Sequence, residues 1–210
     1  MNAGIVALLA MLAAGPTLAD DDDAIAPDPV HAPGMLRDDV PGGKYRNWRG
    51  DLSCGTNAVR AVFHIAKLYT DPRWAPVMKI GLGEEGAKLP KNLDPDLRRI
   101  SLEFVRFNPD QTLEIAVSLA DGRREIQRTD YKVEGVLGQP IPVEIRWDES
   151  GGMTMKVSGQ TLRGAHLSRA PTSVDFDMSG VQGQIGGIEV GRLGPPAACA
   201  APAAPRQPSP

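Results

Sequence analysis

Cysteine is nearly absent: the 210 residues hold two, Cys54 and Cys199, alongside three histidines. Single residues so far apart cannot build a metal centre or a redox pair from neighbours in sequence. Aromatic residues make up only 5% of the chain. The formal net charge is −3 and the pI near 5.6, with Lys and Arg scattered, so no basic stripe exists to follow phosphates and nucleic acid is excluded as a partner. Beyond the amino-terminal segment no apolar run approaches the roughly 20 residues that a spanning helix needs, so no transmembrane segment is expected once that segment is removed.

What is present falls into four parts. Residues 1–19, MNAGIVALLAMLAAGPTLA, carry an apolar run from Ile5 to Ala14, a Gly15-Pro16 break and a small-x-small site before Asp20. This reads as a cleavable secretory signal peptide, although no Lys or Arg precedes the apolar run, and it implies a periplasmic or secreted protein. Residues 20–44 hold four consecutive aspartates and Pro27, Pro29, Pro33 and Pro41, and are expected to form an unstructured leader; the aspartates are assigned no cation. Residues 45–193 form the domain, and the Pro/Ala-rich residues 194–210 a second unstructured end. Cys54 lies just before the first convincing strand and Cys199 a few residues after the last, within about 20 Å of extended tail. In an oxidising compartment the two are expected to pair, contributing about 4 to 5 kcal/mol in the chain-entropy model.

Within the domain, period-2 alternation dominates. Val143, Ile145 and Trp147 alternate with Glu144 and Arg146; Asp148 to Gly152 turns the chain, and Met153, Met155 and Val157 resume the pattern. Strands are also predicted over Val59–Tyr69, Trp74–Leu82 and Ile100–Phe107, and on the stretch holding Leu113 to Leu119. Asp121-Gly122 is a hairpin signal, followed by a polar edge strand over Arg123–Val133. Gly83–Arg98 reads as a polar loop with at most one helical turn, and HLSRAP (166–171) as a loop. Val174, Phe176 and Met178 mark a further strand, and Ile185–Val190 closes the domain. Short strands without helix periodicity or βαβ alternation mean an all-β, antiparallel two-sheet sandwich.

The succession ISLEFVRF, TLEIAVSLADGRRE, IPVEIRWDESGGMTMKVSG, SVDFDMSG and QIGGIEV resembles the concanavalin A-like lectin/glucanase superfamily, particularly its laminin G-like jelly-roll domains. The resemblance implies a curved jelly roll that binds a glycan or an extracellular or envelope protein, or in some branches cleaves polysaccharides. The glucanase pattern Glu-x-Asp-x-x-Glu is absent: Asp175 stands in place of the nucleophile and Gly180 in place of the acid/base. Asp175 and Asp177 remain the only candidate catalytic pair, sharing a strand face about 7 Å apart, and the simpler reading makes them the solvent face of an amphipathic strand. Trp74, set between Pro72 and Pro76, is a candidate sugar-stacking residue. Glu144 and Arg146 are further ligand-binding candidates, against a simpler reading as an outer-face ion pair; Trp147 belongs to the core. No cofactor is implied. Laminin G-like domains use calcium, but no ligands for it can be placed here. The expected protein is therefore an exported, non-catalytic binding module. Its alternatives are a diverged glycoside hydrolase or polysaccharide lyase, and a structural envelope component.

Overall fold

In the computed structural model the described residues are 26–27, 35–41, 44–69, 75–84, 98–122 and 124–194. They form thirteen strands: β1 (Ala26–Pro27), β2 (Met35–Val40), β3 (Arg46–Asp51), β4 (Ala58–Leu68), β5 (Val77–Gly83), β6 (Arg98–Phe107), β7 (Thr112–Asp121), β8 (Arg124–Glu134), β9 (Pro140–Trp147), β10 (Gly152–Val157), β11 (Gln160–His166), β12 (Ser173–Ser179) and β13 (Val181–Arg192). All pairings are antiparallel. One sheet runs β1-β13-β4-β9-β10-β11 with β2 also paired to β13; the other runs β3-β12-β5-β6-β7-β8.

The alternation read from sequence buries one face of each sheet against the other. Val59, Ala61, Phe63 and Ile65 of β4, with Ile141, Val143, Ile145 and Trp147 of β9, meet Met78, Ile80 and Leu82 of β5, Ile100, Leu102 and Phe104 of β6, and Val174, Phe176 and Met178 of β12. Phe63 sits at the centre, its ring 4.7 Å from Phe104 and 6.5 Å from Phe176. Trp147 is core as expected, and its indole N–H donates to the Thr56 carbonyl at 2.9 Å, which leaves no polar atom stranded. Asp148 closes the β9–β10 hairpin by accepting bonds from Ser150 Oγ (2.6 Å) and the Gly152 amide (3.0 Å).

Two expectations need correction. An unstructured leader through residue 44 does not hold at 26–27, where β1 pairs with Gly191 and Arg192 of β13, or at 35–40, where β2 pairs with Val181–Gly186 of β13. In the β2 sequence, MLRDDV, the charged Asp38 interrupts the Leu36–Val40 parity, but the long β13 would otherwise present an unpaired edge, and β2 covers it. Val40 is buried, and the Tyr69 hydroxyl donates to Asp39 at 2.5 Å. The second miss is β11, which continues from β10 through Ser158-Gly159, both residues at positive φ (48° and 80°) as a two-residue primed turn requires. The expected HLSRAP loop starts where β11 ends, at His166. The Gly83–Arg98 loop and the tail holding Cys199 lie outside the described residues, apart from residues 83, 84, 98 and 194. Among the described residues no helix is long and apolar enough to cross a membrane.

Candidate functional site

On the six-stranded sheet, residues of opposite parity to the core form an outer face whose rows are fixed by strand register. One row reads Arg49, Asp175, Gly81, Ser101, Ser118, Arg128; the row beside it reads Asn47, Asp177, Lys79, Glu103, Ala116, Asp130. Asp175 and Asp177 thus point outward, as the alternation of β12 requires, yet each is only 1% exposed. The expected solvent face is instead an enclosed carboxylate pair. β12 lies inside the sheet, with β3 on one side and β5 on the other, and long side chains from both, together with Arg99 of β6, close over the two aspartates.

Asp177 is held by Lys79, whose Nζ lies 3.1 Å from Oδ2, by the Asn47 amide, which donates to Oδ1, and by the Tyr45 hydroxyl. Tyr45 is 56% exposed overall, but its hydroxyl end reaches the enclosed carboxylates. Burial there, followed by the charge of Asp177, raises its phenol well above the ordinary value. Asp175 is less well served. Its Oδ1 lies 3.5 Å from Arg99 Nη2, and neither of its oxygens receives a hydrogen bond from a described residue. Its carboxylate occupies the space over Gly81, where a Cβ would come within 2.8 Å of both oxygens, so any side chain there would require the carboxylate to move. Burial pushes Asp175 up from 3.8 to about 6; Arg99 opposes this and Asp177 reinforces it. A hydrogen bond between the protonated Asp175 and Asp177 contributes least to the rise. Arg49, which donates to Ser173 Oγ at 3.0 Å, completes the frame, its guanidinium lowered by burial first and by Arg99 second.

From this pair a strip of small residues, Gly81, Ser101 and Ser118, crosses β5, β6 and β7 and ends at Arg128. At about 4.8 Å per strand the line from β12 to β8 spans roughly 19 Å, the length of a short linear oligomer. The guanidinium and ammonium groups that cover the carboxylates, together with the serine hydroxyls of the strip, supply donors and acceptors for a hydroxyl-rich ligand.

The other sequence-derived candidates do not join this site. Glu144 and Arg146 lie on the outer face of the opposite sheet. Burial acts to raise the Glu144 carboxyl, but hydrogen bonds from Arg146 Nε (2.6 Å) and Arg60 Nε (2.7 Å) outweigh it and hold the group below its usual range. That is the outer-face ion pair of the simpler reading. Trp74 falls outside the described residues. Among the described residues no group of three or more His, Cys, Asp or Glu could hold a metal ion. Sequence reasoning missed Tyr45, Asn47, Arg49, Lys79 and Arg99. Their one signal was an outward parity, and cross-strand register over some 130 residues was needed to assemble them.

No protein-family model matches the chain, and no curated protein matches it. Solved structures do. The legume lectin-like domain from Entamoeba histolytica is similar over 79% of this chain and 88% of its own, at 12% identity and a TM-score of 0.53. A prokaryotic β-1,3-1,4-glucanase (lichenase) derived from a mouse hindgut metagenome covers 76% of this chain and 78% of its own, at 11% identity and a TM-score of 0.49. The galectin LEC-6 of Caenorhabditis elegans covers 76% and 96%, at 11% identity and a TM-score of 0.44.

Proposed function

We propose that this chain, in fold a concanavalin A-like jelly roll, is an exported, non-catalytic carbohydrate-recognition module whose ligand lies across the outer face of the six-stranded sheet. The observation that carries the reading is the enclosed Asp175–Asp177 pair at the head of the Gly81–Ser101–Ser118 strip. Lys79, Arg99 and Arg49, the side chains that close over the carboxylates, supply donors to a sugar's hydroxyls, and the Ser101 and Ser118 hydroxyls of the strip both donate and accept. The fold likeness to a legume lectin-like domain supports the same class. Screening of an oligosaccharide array followed by calorimetry tests it. The parent chain is expected to bind at least one glycan, with affinity falling tenfold or more in Asp177→Asn and holding within twofold in Glu144→Gln. Absence of binding to every glycan, or equal loss in both variants, would contradict it.

A second reading gives the same pair acid/base work. It is favoured by the contrast between Asp175, pushed up to about 6, and a neighbour ion-paired to Lys79, because divergent environments for two carboxyls mark acid/base pairs. Enclosure opposes it: hydrolysis sets a scissile bond and a water between the two carboxyls, and Asp175 and Asp177 are each 1% exposed beneath Lys79 and Arg99. If glycan cleavage is found and both Asp175→Asn and Asp177→Asn retain it in full, that assignment fails.

Export is supported by the signal-like segment 1–19, and a Cys54–Cys199 bond belongs to the same proposal. Cys54 lies in the turn before β4, and nearby Asn57 holds the end of the last strand: its amide donates to the Gly191 carbonyl (2.9 Å), its side chain to the Leu193 carbonyl (2.9 Å), and its Oδ1 accepts from the Leu193 amide (2.7 Å). Five residues separate Leu193 from Cys199, within reach of Cys54. Alkylation of the unreduced, natively exported protein is expected to modify neither thiol; two modified cysteines would end the idea.

A further inference from the structure

β8 ends the six-stranded sheet, bonded among the described strands only to β7. An edge eleven residues long is unusual unless something protects or uses it. Protective edges carry like charges that repel a second strand. β8 instead carries Arg128, Asp130, Lys132 and Glu134 on one face, in strict alternation of sign.

We infer that β8 is the docking edge for a second copy of this chain, paired antiparallel about Tyr131. In that register Arg128 faces the partner's Glu134, Asp130 faces the partner's Lys132, and both relations repeat across the dyad. Each of these four charges meets its opposite. On the other face Thr129 meets the partner's Val133, a β-branched pair suited to a sheet. Antiparallel pairing centred one residue earlier or later sets Asp130 against Asp130 or Lys132 against Lys132. It also opposes Arg128 to Lys132 or Asp130 to Glu134, so the charge pattern selects a single register. Pairing about Thr129 satisfies only Arg128 and Asp130.

The local structure agrees. The register of β8 with β7 slips at Ile126, so the regular part of the edge begins at Gln127 and contains the whole proposed ladder. The charges have partners within the chain, Arg128 with Asp130 at 3.0 Å and Lys132 with Asp110 at 2.8 Å, but these are surface contacts that exchange at little cost. A dyad normal to the sheet joins two six-stranded sheets edge to edge and sets both outer faces on the same side. The inference is independent of the ligand.

Sedimentation equilibrium of the full chain tests it. The parent chain is expected to dimerise. Asp130→Lys sets a second ammonium group opposite the partner's Lys132, twice per dimer, and should weaken association at least about tenfold. The double variant Asp130→Lys/Lys132→Asp restores opposite signs at every position and should recover the parent's association to within about threefold. Asp130 is 65% and Lys132 55% exposed at the side chain, so both variants keep the fold, and circular dichroism verifies this. A parent chain monomeric at millimolar concentration, a single variant that dimerises as well as the parent, or a double variant no better than the single one would each overturn the inference.

Discussion

At pH 7 the Asp175→Asn variant will be more stable than the parent chain by about 1 to 3 kcal/mol, an inversion of the usual cost of altering a fully buried residue. The folded chain raises Asp175 from 3.8 to about 6, so between those values the native state holds a proton that the unfolded state has lost. Stability therefore falls as pH rises from about 4 to 6, and the full deficit persists above that window. The upper limit of roughly 3 kcal/mol follows from the size of that rise at 1.36 kcal/mol per pH unit. Asn removes the charge and keeps the shape, and its amide can donate to Asp177. Carboxyls held low elsewhere, such as Asp110, kept at about 2 first by its hydrogen bond from Lys132, give the opposite slope at lower pH. The informative quantity is thus the difference between the two proteins. Urea denaturation at pH 4.5 and 7 should show the variant's advantage shrinking toward the acid side. A variant less stable than the parent at pH 7 would mean that Arg99 outweighs the burial of Asp175.

The largest loss is expected at Phe63. This side chain is wholly buried where the two sheets meet, between Phe104 and Phe176. Phe63→Ala removes the ring and leaves a void walled by strands of both sheets, which cannot close it without shifting their registers. The expected cost is about 4 kcal/mol, within the range for deleting a core aromatic residue. Against a total of about 5 to 15 kcal/mol for a domain, that leaves little margin. It should appear as a lower urea midpoint with an unchanged slope. A loss under about 1 kcal/mol would mean that Phe63 is not where the sandwich is pinned.

The sandwich was legible because its core strands are amphipathic by themselves. Val143, Ile145 and Trp147, and likewise Val174, Phe176 and Met178, each identify a buried face within one strand, with no knowledge of partners. β2 and β11 were not legible for the complementary reason. MLRDDV has its Leu36–Val40 parity interrupted by Asp38, QTLRGAH holds too few apolar residues to show a period, and both exist as strands because β13 and β10 offer them edges. The same division runs through the site. That Asp175 and Asp177 share an outward face followed from parity. That they are enclosed did not, because enclosure depends on Asn47, Lys79 and Arg99 arriving from β3, β5 and β6. Glu144 and Arg146 had the same outward parity and became an ordinary ion pair, because Arg60 of β4 arrived beside them.

The most direct measurement is a nitrogen–proton correlation NMR titration of the domain with the tightest oligosaccharide from the array. The expected result is that the shifting amides cluster on Lys79–Gly83, Arg99–Glu103 and Ser173–Ser179, with those around Glu144 and Arg146 unmoved. Shifts centred on the opposite sheet, or confined to loops away from Asp175 and Asp177, would contradict the placement of ligand binding on this face.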